Sequence, residues 1–263
     1  MKPATADALN RLNRRFYDEA AAEFSASRAR PWPGWSRLMP ILLQDRSFAS
    51  PLRVLDLGCG NGRFARFLQQ NTETALDYTG ADASEPLIRE CSTVPTPDES
   101  HFRFEKCDFI EAAIPPPIAR RRYDLIALFG VMHHIPGFDT RLALLRTLAP
   151  LLARQPSPGG RIALTFWRFA HAPRFARRTV PWNEFVATPT GRELGIDPDD
   201  LEEGDAILRW GPPPHRYRYC HHLSPDEQTA LLERAGLRAT AQFESDGEGG
   251  HLNRYAVAAR ECR

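Results

Sequence analysis

The run from Arg53 to Leu68, RVLDLGCGNGRFARFL, constrains the fold more than any other stretch of the chain. It reads as a short apolar strand, a glycine-punctuated turn, and a helix with Phe64, Phe67 and Leu68 on one face. Gly58, Gly60 and Gly62 remove side chains where the strand bends into the helix, so backbone N–H groups can approach a ligand closely. A dinucleotide fingerprint spaces its glycines G-x-G-x-x-G and seats a pyrophosphate. Here the spacing is G-x-G-x-G, and Asp56 precedes it. That combination favours a cationic, phosphate-free ligand. A carboxylate beside polar backbone groups suits an ammonium and a carboxylate, as in the methionine end of S-adenosylmethionine.

Two further strands end in acids. Tyr78-Thr79-Gly80-Ala81-Asp82 places Asp82 about twenty residues beyond the turn, where an acidic side chain can bond ribose hydroxyls. Phe102 to Phe109 reads as a third strand, with Asp108 near its end able to accept from an adenine amine. Ala83, Phe109 and Phe129, beside strand ends, are counted in the same cofactor site. Tyr123 to Phe129 is a fourth strand, too apolar to face water on either side and therefore central in a sheet. After it, Gly130-Val131-Met132-His133-His134 falls at the carboxyl end, where open α/β sheets bind ligands. His133 is taken as the histidine lining the substrate mouth and His134 as packing. With no third ligand at metal spacing, no metal site is expected. A leucine-rich helix from Leu142 to Leu152, a turn at Pro158-Gly159-Gly160 and a strand from Arg161 to Trp167 continue the alternation of a parallel sheet.

Composition narrows the function classes. The 263 residues carry a formal net charge of +1, so any nucleic-acid contact must come from a local patch. Lys2 and Lys106 are the only lysines, and the positive charge is otherwise arginine. Five scattered cysteines without a C-x-x-C pair suggest reduced thiols rather than disulfides or zinc. No apolar leader or membrane-length run is present, so a cytoplasmic location is expected.

The flanks of the sheet carry the remaining signals. Leu9, Leu12, Phe16, Ala20 and Phe24 recur at helical spacing, predicting an amphipathic helix over Asp7 to Phe24 that covers the glycine-loop end. Residues 1–50 thus form an N-terminal helical cap that includes the extended segment Ser27-Arg28-Ala29-Arg30-Pro31-Trp32-Pro33. The alternation stops over residues 168–222. Arg174, Arg177 and Arg178 interleave there with Phe169, Phe175 and Trp182, a pattern suited to phosphates and unpaired bases, or to a lid packed by its aromatics. Glu193 to Asp205 reads as an acidic surface excursion, and Arg209-Trp210 and Arg216 to Tyr219 return to basic-aromatic character. The whole insertion is the expected substrate-recognition cap within a single domain spanning 1–263. Ser224-Pro225-Asp226-Glu227 predicts a capping box and a helix ending at Gly236, followed by two antiparallel strands, Leu237 to Phe243 and Asn253 to Ala259.

Taken together, DLGCGNG, GADAS, the CD pair and FGVMHH resemble class I S-adenosylmethionine-dependent methyltransferases, which implies a Rossmann-like α/β fold with a seven-stranded, mostly parallel sheet and an antiparallel last strand. More narrowly, SRARPWP, Gly204-Asp205 with Arg209-Trp210, Arg218-Tyr219 and GHLNRY are similar to the Trm9-like and AlkB-homologue-8-like tRNA methyltransferases. That resemblance implies esterification of 5-carboxymethyluridine at the tRNA wobble position, a tRNA anticodon-loop partner and a small zinc-binding activator subunit. Asn61-Gly62-Arg63 in place of Asn-Gly-Lys, Cys220 before the histidine, and the acidic insert depart from the family pattern.

A carboxylate acceptor is already ionised at neutral pH, so positioning rather than a strong base is required. Arg28 and Arg254 are favoured to orient the reacting carboxylate. Arg30, Trp32, Arg174, Arg177, Arg178, Arg218 and Tyr219 complete the expected substrate contacts. Two other readings stay open: a methyltransferase acting on a small-molecule acid or phenol, and a non-catalytic protein of this fold that binds RNA.

Overall fold

The computed structural model describes residues 1–27, 30–43, 51–111, 113–154 and 159–261. In chain order the N-terminal helices are α1 (Pro3–Glu19), α2 (Ala21–Ala26) and α3 (Pro33–Leu43). Next come β1 (Leu52–Leu57), α4 (Arg63–Asn71), β2 (Leu76–Asp82), α5 (Glu85–Glu90), β3 (His101–Lys106), α6 (Pro116–Ala119), β4 (Leu125–Leu128), α7 (Phe138–Leu148) and β5 (Arg161–Trp167). The segment that interrupts the alternation holds α8 (Pro173–Ala176), β6 (Thr179–Val180), α9 (Trp182–Val186), α10 (Pro189–Leu194), β7 (Asp205–Trp210) and β8 (Arg216–His221). The chain closes with α11 (Pro225–Arg234), β9 (Leu237–Ser245) and β10 (Asn253–Arg260).

The main sheet has seven strands in the order β3-β2-β1-β4-β5-β10-β9. β1 to β5 are parallel, and β10 runs antiparallel to both β5 and β9. Strand periodicity sorts the core into two layers. Leu55, Leu57, Ile126, Leu128, Ile162, Leu164 and Ala256 pack with Leu142, Leu145 and Leu148 of α7 and Leu231 and Leu232 of α11. Val54, Leu125, Ala127, Ala163, Tyr255 and Val257 face the other way, onto Trp35, Leu38 and Leu42 of α3 and Phe64, Phe67 and Leu68 of α4. β4 and β5 are covered on both faces, which is why their sequences are apolar without alternation.

The order reverses between β1 and β4, the place where an open α/β sheet leaves a crevice at its carboxyl edge. The register pairs Asp56 with Gly80 and Asp82 with Lys106, so the ends of β1, β2 and β3 lie along that edge. β6, β7 and β8 form a separate antiparallel sheet. α1 packs against it through Ala8, Leu9 and Leu12, which meet Phe185, Ile196, Ile207 and Tyr219.

Three expectations are corrected. The helix foreseen over Asp7 to Phe24 divides at Ala20, whose ψ of 5° leaves the helical range, and α1 packs against the β6–β8 segment as well as over the loop end. Glu227 does not close a capping box. Ser224 Oγ accepts from Glu227 N at 3.2 Å, but the Glu227 carboxylate turns to His221 Nε2 at 2.9 Å and Arg141 Nη2 at 2.9 Å. The acidic segment is a surface excursion only in part: Glu193, Asp197 and Asp199 are exposed, but at its end Glu202 binds buried Arg141 at 2.5 Å and Asp205 binds His221 at 2.6 Å and Tyr219 Oη at 2.6 Å. This network joins α7, β7, β8 and α11. Among the described residues no helix is long and apolar enough to cross a membrane.

Candidate active site at the carboxyl edge of the sheet

One cavity of about 750 Å³ occupies the crevice. Its acidic end is built by the glycine turn. Gly58, Gly60 and Gly62 have φ of 75°, 55° and 76°, values that favour glycine. The turn is tied down by Gly58 N donating to Ala81 O at 2.7 Å and Gly60 N donating to Asp82 Oδ2 at 2.9 Å. A Cβ built on Gly60 would meet no protein atom within 4 Å although Gly60 lines the cavity, so the turn leaves a cradle for a ligand. Gly62 does not line it. That residue opens α4, and a Cβ there would strike Val94.

Asp56 is 2 % exposed and accepts a short hydrogen bond from Tyr78 Oη. Burial raises its carboxyl to about 7, and the Tyr78 hydroxyl opposes that shift only in part. Asp82 accepts from Gly60 N and from Ser84 N, at 2.9 Å each, and burial raises its pKa against these donors. A carboxylate has about four acceptor positions, so both oxygens of Asp82 retain capacity for ribose hydroxyls. Asp108 is engaged on both oxygens. Its Oδ1 accepts from Ile110 N and Glu111 N at 3.1 Å each, and its Oδ2 from Arg14 Nη1 at 3.1 Å and Asn10 Nδ2 at 3.4 Å. Those donors fasten α1 to the strand end, and Asp108 still lines the cavity where an adenine amine is expected. Ala83, Phe109 and Phe129 line the cavity beside these acids.

The opposite end is basic and aromatic. Arg30, Trp32, Arg174, Arg178, Arg218 and His133 line it together with Trp167, Phe175 and Trp210. Arg174 lies 4.7 Å from the Phe175 ring and Arg178 5.7 Å from the Trp210 ring, both arginines remaining exposed. Trp32 stacks on Trp35 at 5.5 Å, and His133 lies 4.9 Å from Trp167. Gly34 N donates to Asp246 Oδ1 at 2.8 Å, while Tyr255 Oη and Asn253 Nδ2 donate to its Oδ2 at 2.7 and 2.8 Å. The GHLNRY motif thereby holds the start of α3 and the adjoining Trp32 in place.

Several expected contacts fall elsewhere. Arg28 lies outside the described residues, as does Pro158 of the turn before β5. Arg254 does not line the cavity, because its position on β10 turns it away from Tyr255, and Nη2 donates to Gln242 Oε1 at 2.9 Å. Tyr219 is fully buried with its hydroxyl on Asp205, and Arg177 is exposed away from the cavity.

Sequence reasoning missed others. Arg63 lines the cavity between the two ends, over Trp32 at 5.3 Å and Trp35 at 5.1 Å, and burial pushes its pKa down to about 10. Asn10, Arg14 and Tyr17 also reach the cavity from the polar face of α1. That face could have been read from the helical spacing alone.

Two groups bring metal-type donors together among the described residues, His133 with His134 and Cys220, and Glu202 with Asp205 and His221. In the first, His134 is already engaged by Tyr17 Oη at 2.7 Å and Tyr219 O at 3.1 Å, and burial pushes the Cys220 thiol up to about 12. In the second, the carboxylates answer Arg141 and the His221 ring. The second set is thus held by protein partners, and in the first His134 is.

A family profile described as a methyltransferase domain matches residues 9–242. The tRNA (carboxymethyluridine(34)-5-O)-methyltransferase ALKBH8 of Macaca fascicularis is 29 % identical over 169 residues, which cover 63 % of this chain and 22 % of that protein. The chain therefore spans about a fifth of that relative's length. Trans-aconitate 2-methyltransferase of Streptomyces avermitilis is 29 % identical over 136 residues, 52 % of this chain and 45 % of that protein. Among solved structures, an S-adenosylmethionine-dependent methyltransferase from Clostridium acetobutylicum superposes with a TM-score of 0.64 at 11 % identity, covering 94 % of this chain and 99 % of that one, a likeness of fold.

Proposed function

The chain belongs to the methyltransferase domain family, and from that premise we propose that it methylates the carboxylate of 5-carboxymethyluridine at the wobble position of tRNA, with S-adenosylmethionine as cofactor. The observation that carries this reading is the polarity of the cavity. Carboxylates and a glycine cradle form one end, and Arg174, Arg178 and Arg218 among indoles and a phenyl ring form the other. When bound, the cofactor supplies an electrophilic methyl group on a positively charged sulfur. The residues here then have a positioning task. Gly60 leaves the space for the cofactor, and Asp82 offers acceptors to its ribose. Arg63, a cation at the junction of the two ends, suits the cofactor's carboxylate.

At the other end the aromatic rings offer faces for an unpaired base, and the exposed Arg174 and Arg178 suit flanking phosphates. Holding nucleophile and electrophile at near-attack distance can remove roughly 7–11 kcal/mol of a barrier, so a pre-ionised acceptor needs no strong base. The tRNA anticodon loop is the proposed partner. A small zinc-binding activator is proposed with it, on the family resemblance.

The walls of the cavity also favour a second reading, a free organic acid, since they are concave and largely aromatic at the acceptor end, and a relative is named for trans-aconitate. The test is methyl transfer to tRNA purified from cells that accumulate carboxymethyluridine, with and without the activator, followed by mass spectrometry of the nucleosides. Appearance of the methyl ester at the wobble uridine supports the reading. No ester in tRNA together with turnover on a free acid replaces it with the second.

A further inference from the structure

Among the described residues two arginines are buried, and they are treated in opposite ways. Arg141 is 0 % exposed and paired with acids: Glu202 and Glu227 lie within 2.9 Å and the Ile135 carbonyl at 2.8 Å, although its Nε has no hydrogen-bond partner. Arg218 is 3 % exposed and its Nε likewise has no hydrogen-bond partner, but here no carboxylate forms an ion pair with it among the described residues. Its neighbours are rings, with Trp167, Trp210 and Phe16 centred 4.9, 5.4 and 5.5 Å from the guanidinium carbon.

The alternation of β8 explains how it comes to be there. Tyr217, Tyr219 and His221 turn toward α1 and the acidic network, and Arg218 and Cys220 turn toward Trp167 and the cavity. Three aromatic faces hold the guanidinium but supply no counter-charge, and a desolvated cation without an anion is costly.

We infer that Arg218 is the receptor for the acceptor's carboxylate, the anion that completes this site when substrate binds. The inference rests on the reading of the protein as a carboxylate methyltransferase and assigns the acid recognition to one residue. A planar guanidinium pairs with a planar carboxylate through two parallel hydrogen bonds, and a site built that way discriminates against an uncharged analogue. The amide and the methyl ester of the same base lose the charge and one acceptor, so both should bind weakly. Methylation therefore removes the group that Arg218 holds, which favours release of the product. Arg174 and Arg178 differ in kind, since they are exposed and meet solvent at the rim.

The experiment measures equilibrium binding by tryptophan fluorescence, without cofactor, for anticodon stem-loops carrying carboxymethyluridine, carbamoylmethyluridine or the methyl ester, and for free trans-aconitate and uridine monophosphate. Wild type should prefer the acid stem-loop to the amide by about 10- to 100-fold. Arg218→Met and Arg218→Gln should each erase that preference, while Arg218→Lys keeps part of it. Because the cation is unanswered in the free protein, Arg218→Met should melt no lower than wild type; a marked fall in Tm with the acid preference intact would identify a structural brace and overturn the inference. Equal binding of acid and amide by wild type without Arg218-dependent binding of trans-aconitate, or tightest binding of uridine monophosphate lost in the Met variant, would also overturn it. Arg218-dependent binding of trans-aconitate with no acid preference among stem-loops would keep the receptor and remove the tRNA reading. Acid stem-loops that are methylated equally well by the Arg218→Met variant would keep the tRNA reading and remove the receptor.

Discussion

At the glycine-turn end of the cavity, the ligand faces backbone N–H groups and carboxylates set at the ends of neighbouring strands. At the cap end it faces guanidinium groups and indoles drawn from α3, β5, α8, β7 and β8. The first end is fixed by the sheet itself. Asp56 and Asp82 are held by strand register, by Tyr78 and by the turn's own amides, so little can move without breaking main-chain hydrogen bonds. The second end is an assembly of side chains, and its arginines stand over rings rather than in ion pairs. The contrast teaches a division of labour by charge. On the proposed function a cationic cofactor would sit at the rigid acidic end, and an anionic acceptor at the basic end, where side chains can change the substrate without disturbing the sheet.

The contrast breaks most easily at Gly60. Gly60→Val adds a branched side chain to a backbone with φ of 55° and fills the cradle, so affinity for S-adenosylmethionine should fall by about 100-fold or more. Calorimetry on a variant shown to be folded checks this, and undiminished affinity would mean that the cofactor sits elsewhere. Asp82→Ala should cost about tenfold or more in cofactor affinity, because it removes ribose acceptors and an anchor of the turn. That change should leave RNA binding alone.

At the other end the double variant Arg174→Ala, Arg178→Ala should weaken RNA binding and lower the slope of log affinity against log salt by between about one and two, without altering cofactor affinity. Adding Arg177→Ala should change the slope less, since Arg177 does not line the cavity. A loss of cofactor affinity in the double variant would show that the two ends are not separable.

The smallest effect is one of pH. Folded Asp56 keeps its proton to about pH 7, whereas an unfolded aspartate loses it near 4. Between those values the unfolded chain binds fewer protons at this group, so its contribution to stability declines as pH rises and is flat above about 7. Asp56→Asn should therefore flatten the fall in Tm between pH 5 and 7; an unchanged pH profile would place the titration on another group.

The sheet was legible because its signals are local. The apolar runs that became β1, β4 and β5 need only their own residues to declare themselves, and the glycine spacing fixes the turn between β1 and α4. What was not legible depends on partners distant in sequence. Nothing near Asp108 announces that Arg14 and Asn10 will occupy it, and nothing near Arg254 says that Gln242 will take its guanidinium. α3 begins at a proline and carries Pro40 within it, which hides a helix from propensity. The break at Ala20 has no glycine or proline to mark it. Glu202 and Asp205 read as surface acids until Arg141 and His221 are placed beside them. Arg218 was one arginine among several in the sequence, and what sets it apart in the fold is burial among rings without an ion pair among the described residues.

The central claim is that the basic end selects a carboxylate for methylation. Its most direct test is to supply the protein, with activator present, with S-adenosylmethionine carrying a labelled methyl group and two anticodon stem-loops that differ only in carboxymethyl versus carbamoylmethyl at the wobble uridine. The account predicts label on the acid at its carboxyl oxygen and none on the amide. Equal labelling of both, or labelling of neither by a protein that binds the cofactor, would contradict it.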